Sequence, residues 1–171
     1  MMNRILLVSP GRKQFKTTYK PPFPFSIMSL VKPLKNAGYE VEIFDQQVND
    51  LREILTPQYT ESLLFAGISA LTGNPIYYGL KIARQLRSLR SDLPLVWGGV
   101  HPTLMAEQTI GTSDYVDMIV RGEGEETIVD LANTIRDRNA LESVAGLTFR
   151  RGTEIIATIA SIAIIASIPI I

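Results

Sequence analysis

Six short apolar runs separated by stretches of helical periodicity constrain this chain more than any other feature: Arg4–Ser9, Glu40–Asp45, Leu63–Ser69, Leu95–Gly98, Met118–Val120 and Gly146–Arg150. Short runs with apolar residues at consecutive positions belong to strands buried on both faces, and helical patterns between them imply βαβ crossovers. The expected fold is therefore α/β, a Rossmann-like (flavodoxin-like) doubly wound parallel sheet in three α/β/α layers. Right-handed crossovers favour the strand order 2-1-3 followed by 4 and 5, with Gly146–Arg150 a candidate edge strand.

Between the first two strands, Ile27–Ala37 reads as a helix. Its stripe is Ile27, Leu30, Val31 and Leu34, Gly38 stops it, and Pro33 is a potential kink. A second helix is expected over Pro75–Arg90, with Ile76, Ile82, Ala83, Leu86 and Leu89 inward and Lys81, Arg84, Gln85 and Ser88 on a solvated face. Others are expected over Thr103–Gly111 and over Glu125–Arg138, the latter packing Ile128, Leu131, Ala132 and Ile135. Within Gln46–Glu61 the apolar residues Leu51, Ile54 and Leu55 and then Pro57 suggest one short helix that ends before the third strand.

This organisation divides the chain into a domain over 1–152 and an apolar tail over 153–171. The tail stretch Ile155–Ile171 uses only Ile, Ala, Ser, Thr and one Pro over 17 residues, fewer than the ~20 that cross a bilayer as a helix. Its β-propensity and lack of charge after Glu154 suit burial by a partner or self-association. Lys plus Arg number 17, as do Asp plus Glu, which argues against nucleic acid or an anionic membrane as partner. Cysteine is absent, so neither disulfides nor thiolate-held zinc or iron–sulfur centres can form within this chain. The first strand begins almost at once and leaves no room for a signal peptide, which points to the cytoplasm.

Ligands of open parallel sheets bind beyond the carboxyl ends of the strands. Four loops there carry unusual residues. Ser9-Pro10-Gly11-Arg12 leads into a segment with Tyr19, Pro21, Pro22, Phe23, Pro24 and Phe25, which reads equally as a lid or as a covering of the sheet edge. Ser69-Ala70-Leu71-Thr72 offers two hydroxyls to a bound ring or, alternatively, a helix cap. Trp97-Gly98-Gly99-Val100-His101-Pro102-Thr103 lets a flat ligand approach the backbone, with Thr103 a candidate cap. A β-branched residue at Gly99 is expected to harm binding more than folding. Arg121-Gly122-Glu123-Gly124-Glu125 ends at a helix start, where the glutamates serve either a ligand or the helix dipole. His101 is the only histidine, and it has no companions of metal-ligand type. Neither GxGxxG after the first strand nor GxxxxGK[ST] occurs.

Gly67-Ile68-Ser69-Ala70-Leu71-Thr72, Trp97-Gly98-Gly99-Val100-His101-Pro102-Thr103 and Val120-Arg121-Gly122-Glu123-Gly124-Glu125, in this order and spacing, resemble the N-terminal cobalamin-binding domain of B12-dependent radical SAM enzymes. The resemblance covers roughly residues 4–151. It implies that Ser69 with Leu71, and Gly98 with Gly99, line the slot for the nucleotide tail of the corrinoid. It also implies cofactor contacts from Ser9, Pro10, Gly11, Ala70, Thr72, Val100, His101, Arg121, Gly122, Glu123 and Gly124. The wider B12-binding class carries Asp-x-His-x-x-Gly after its first strand. Pro10-Gly11-Arg12-Lys13 stands here instead, as in the branch that dispenses with a histidine below cobalt.

That family implies a radical SAM partner domain, in cis or in trans, whose cysteines hold a [4Fe-4S] cluster that cleaves S-adenosylmethionine, often for methyl transfer. No independent catalysis is expected from this chain. Two other readings stay open. One is a flavodoxin-like or sugar-nucleotide-binding enzyme domain using Glu123 or Glu125 beside His101; the other is a structural α/β module that assembles through its tail. A bound corrinoid would give a visible absorption spectrum that neither alternative predicts.

Overall fold

The computed structural model describes residues 3–11, 23–50 and 55–159. Seven strands form one sheet in the order β2-β1-β3-β4-β5-β6-β7. The strands are β1 (Arg4–Ser9), β2 (Glu40–Asp45), β3 (Leu63–Ser69), β4 (Leu95–Gly98), β5 (Met118–Val120), β6 (Leu147–Arg151) and β7 (Glu154–Ala157). The first five are mutually parallel, and β6 and β7 add on antiparallel. The first five strand ranges and their order agree with the sequence expectation, and the fold is the doubly wound α/β class.

Alternation along the strands sends side chains to two separate cores. Ile5, Leu7, Val96, Met118 and Val120 pack with Ile27 and Leu34, and with Ile128, Leu131, Ala132 and Ile135. These partners belong to α1 (Phe25–Met28), α2 (Val31–Asn36) and α7 (Glu125–Thr134), together with the residue just past α7. On the other face, Leu6, Val8, Ala66, Ile68, Trp97 and Ile119 pack with Ile82, Ala83 and Leu86 of α4 (Asn74–Leu89). The charged face of α4, with Lys81, Arg84, Gln85 and Ser88, is exposed as expected. The Trp97 ring lies against α4 at Gly79, where an added Cβ would come within 2.8 Å of Cη2, and its Nε1 donates to Tyr115 O at 2.8 Å.

Several element boundaries differ from expectation. The helix read over Ile27–Ala37 is two helices, α1 and α2, with Pro33 in the first turn of α2, where its missing N–H leaves no bond unmade. The helix read over Thr103–Gly111 starts earlier and breaks at Met105 into α5 (Val100–Leu104) and α6 (Ala106–Gly111). The last long helix ends at Thr134 rather than Arg138. The short helix expected within Gln46–Glu61, ending before the third strand, is α3 (Pro57–Ser62), which runs up to β3; Pro57 opens it, and its N-cap Thr56 accepts from Tyr59 N at 3.1 Å. Leu51 and Ile54 lie outside the described residues.

Glu154–Ala157, read as tail, forms β7, so the strand read as the edge is flanked on both sides. Thr158 then pins the chain beside β6: its Oγ1 donates to Val144 O at 2.7 Å and accepts from Leu147 N at 2.9 Å. Residues 160–171 lie outside the described residues.

Candidate functional site

At the carboxyl ends of β3 and β4, the positions facing α1, α2 and α7 carry little side chain. Leu7, Gly67 and Val96 stand in register across β1, β3 and β4, and the next row places Ser69 beside Gly98. Glycine and serine in these rows leave the helices standing off the sheet. The result is a cavity of about 440 Å³, within the usual range for small-molecule sites. Its inner lining is Leu7, Ile27, Leu30, Val96, Val120 and Ile128. Polar groups come from Ser26, Ser29, Ser69 and Thr103, with Glu123 and Glu125 at the side nearest α7.

The three sequence motifs are bonded to one another at the mouth. Ala70 N donates to Gly98 O at 2.9 Å, and His101 N donates to Ala70 O at 3.2 Å, locking the loop after β3 to the loop after β4. Gly122 N donates to Thr103 Oγ1 at 3.1 Å and thereby ties in the loop after β5. Thr103 is thus inside α5 and braces a loop rather than capping a helix. Thr72 does not cap α4 either; its Oγ1 lies 3.2 Å from His101 Nδ1.

Gly99 adopts φ +92°, and a Cβ there would sit 2.9 Å from Ala70 O and 3.0 Å from Ser69 Oγ. The backbone path itself therefore requires glycine at 99. This reverses the expectation that a β-branched residue at Gly99 would harm binding more than folding. Gly98 has no such constraint, since its Cβ would meet only Val120 O at 3.5 Å.

Of the residues singled out from sequence, Ser69, Gly98, Gly99, Val100, Gly122, Glu123 and Gly124 line the cavity. Ala70 is buried just behind it and Leu71 is exposed at the rim, while Thr72 and His101 pair beside it. Ser9, Pro10 and Gly11 lie at the end of β1 next to the loop after β2: Gln46 N donates to Ser9 O at 3.1 Å, and Gly11 N donates to Gln46 Oε1 at 3.0 Å. Arg121 turns away, its Nη2 donating to Leu147 O at 3.4 Å and to Thr158 O. Ser26, Ser29 and Leu30 were missed as site residues because only tertiary packing brings α1 over the end of β3. Among the described residues no group of three or more His, Cys, Asp or Glu is placed to hold a metal.

Residues 16–132 match the B12 binding domain family. The chain belongs to this family. Over 92% of its length the B12-binding chain is 42% identical to the anaerobic magnesium-protoporphyrin IX monomethyl ester cyclase of Cereibacter sphaeroides, and it spans 27% of that protein. It is 31% identical, over 80% of its length, to the cyclase of the same name from Synechocystis, spanning 28% of it. In fold it resembles the radical S-adenosylmethionine methyltransferase TsrM from Kitasatospora setae, with a TM-score of 0.70 at 19% identity. That match covers 95% of this chain and 30% of TsrM. The cobalamin-dependent S-adenosylmethionine radical enzyme OxsB aligns with a TM-score of 0.68 at 21% identity, over 94% of this chain and 22% of OxsB. The chain thus spans less than a third of each of these four proteins.

The residues of the B12-binding domain fit the group its family implies. A flat heterocycle needs apolar space free of Cβ atoms, and Gly98 beside the small Ser69 leaves such a space, since a Cβ at Gly98 would meet only Val120 O at 3.5 Å.

Proposed function

We propose that the cavity receives the nucleotide tail of cobalamin and that the corrin ring lies over the bonded loops at the carboxyl ends of β3, β4 and β5. The observation that carries this reading is the pair of small-residue positions Ser69 and Gly98, adjacent in register and facing the same cavity. Ser69, Gly98, Gly99 and Gly124 border the tail, and Val100, Gly122 and Glu123 meet the periphery of the ring. Leu71, Thr72, His101 and the β1-end residues Ser9, Pro10 and Gly11 form an outer border, Ala70 supports it through its backbone, and Arg121 braces the loop. When bound, cobalamin supplies a cobalt centre that can carry a methyl group or exchange single electrons; the chain's own residues bind, orient and shield it.

Leu71 is 59% exposed, Val100 55%, Leu104 74% and Phe25 71% around this mouth. An apolar rim of that kind suits coverage by another domain, and a radical SAM domain is the partner we infer, in cis or in trans. The [4Fe-4S] cluster and S-adenosylmethionine belong to that domain, because this chain has no cysteine. The parent reaction is then a radical methyl transfer or a cyclisation. A cytoplasmic location suits the oxygen-sensitive cluster, and among the described residues no helix is long and apolar enough to cross a membrane.

The test is spectral titration of the purified chain with hydroxocobalamin, followed by gel filtration. Co-elution of the corrinoid absorption with protein, and its displacement by unlabelled cobalamin in a radiolabelled assay, are expected. Elution of a colourless protein would refute the reading.

A further inference from the structure

Gly122, Glu123 and Gly124 form one wall of the cavity, and the residue before them is held from outside it. Arg121 N donates to Gly146 O at 2.9 Å, and its Nη2 donates to Leu147 O at 3.4 Å and to Thr158 O. The buried Nε of the same guanidinium has no partner among the described residues, which leaves those two carbonyls to hold the side chain. Thr158 and Ile159 belong to the outgoing chain just past β7 and line no part of the cavity. Gly146 N donates to Ile159 O at 3.1 Å, Thr158 N donates to Leu147 O at 2.8 Å, and Thr127 Oγ1 of α7 donates to Ala145 O at 2.9 Å. The exit of the chain, the start of β6 and the cavity wall are therefore one hydrogen-bonded unit.

The exit is the least secured part of that unit. β7 has four residues, pairs on one side with β6, and is exposed along most of its length. Short, solvated edge segments open at low free-energy cost. When β7 peels away, Thr158 takes its carbonyl with it, and the half-buried Arg121 loses a charged hydrogen bond. The wall has little slack to absorb the change. A Cβ at Gly124 would sit 3.3 Å from both Leu30 Cδ2 and Val120 Cγ1, and one at Gly146 would sit 3.2 Å from Thr127 Oγ1. In packing that close, a displaced Arg121 moves the backbone of 122–124 with it.

We propose that Arg121 and Thr158 are positioning residues for the corrinoid: closing the exit clasp sets the wall at 122–124, and a corrinoid seated against that wall holds the clasp shut. The two effects are reciprocal. The factor by which the closed clasp raises corrinoid affinity is the factor by which bound corrinoid favours the closed clasp. This inference rests on the cobalamin reading above and extends it to residues outside the cavity, where the chain leaves the sheet towards residues 160–171.

The test uses the full 171-residue chain and its Thr158→Val, Arg121→Met and Asp117→Ala variants, each titrated with hydroxocobalamin well below its melting temperature. Thr158→Val removes the Oγ1 bonds to Val144 O and Leu147 N and is expected to weaken binding by about three- to tenfold, the worth of one hydrogen bond. Arg121→Met is expected to cost about tenfold or more, since the lost donor is charged. Asp117→Ala lowers stability from the opposite end of the sheet and is expected to leave the affinity unchanged, so it separates loss of the clasp from loss of stability. In the parent, bound hydroxocobalamin is expected to slow hydrogen exchange of the Gly146 and Thr158 amides by about the factor that Thr158→Val removes from the affinity. Clasp variants that bind like the parent, or that lose no more than Asp117→Ala, would overturn the proposal, as would amide exchange unchanged by the corrinoid. If Arg121→Met does not fold, Thr158→Val and the exchange measurement on the parent decide the matter. A parent chain that takes up no hydroxocobalamin refutes the cobalamin reading itself, an outcome visible before any variant is made.

Discussion

Two adjacent glycines at the end of β4 serve different ends. Gly98 faces open cavity, so a larger residue there gains β-propensity at little cost to the backbone, while its methyls occupy ligand space. Gly98→Val is expected to weaken cobalamin binding by about ten- to a hundredfold with an almost unchanged melting temperature; a variant that binds like the parent would remove Gly98 from the site. Gly99→Val forces a branched residue to φ +92° with its Cβ 2.9 Å from Ala70 O. It is expected to destabilise the fold by about 1–3 kcal/mol, read as a lower melting temperature in the absence of corrinoid. His101 pairs with Thr72 and is not part of the cavity lining. His101→Ala is accordingly expected to leave the cobalt absorption spectrum of the bound corrinoid unaltered, and a spectral shift would place the imidazole at the metal. The doublet is visible in the sequence. Which member serves the backbone and which the ligand is decided by φ and by the neighbouring carbonyl, neither of which a residue string records.

Among the elements, β4 and β5 are short, and their common amino-terminal end is held by Asp117. Its Oδ2 accepts from Leu95 N at 2.8 Å and from Arg87 Nη2 of α4 at 2.6 Å. Asp117→Ala leaves that guanidinium and an N–H short of a partner at a half-buried position, at an expected cost of about 1–3 kcal/mol in denaturant unfolding. Cobalamin affinity should stay the same, because the cavity lies at the opposite strand ends; a matching loss of affinity would show that the two ends are coupled. Six of the seven strands, all but β7, were legible from their apolar residues and turn punctuation. Helix boundaries were less so: Pro33 and Pro57 can each sit in a first helical turn as readily as they end a helix, and tertiary contacts settled that choice. The place of α1 over β3 was not legible at all, because the Ser26–Ser69 bond spans 43 positions and neither serine signals its partner.

At the scale of the whole molecule, β7 and the Thr158 clasp place the outgoing chain at the cavity end of the sheet, since β6 runs down from the end of β5 and β7 runs back up. Self-association through the apolar tail, which we propose for the isolated chain, draws mainly on residues after 159, with the exposed Ile155 and Ile159 beside them. Truncation after Ile159 is expected to raise the monomer fraction in sedimentation without loss of corrinoid binding. Truncation before Glu154 is expected to lower stability as well, because it strips β6 of one of its two partners. If the full chain sediments as a monomer, the tail has no such role. By itself the sequence determined the fold class and the order of the first five strands, because consecutive apolar residues admit few arrangements and crossover handedness removes most of those. Only the tertiary structure decided which residues at the carboxyl ends of the strands face the cavity. Arg121 turns outward to hold Thr158, and Ser26 turns inward to meet Ser69, because the direction of a side chain is set by partners brought near it only when the chain has folded.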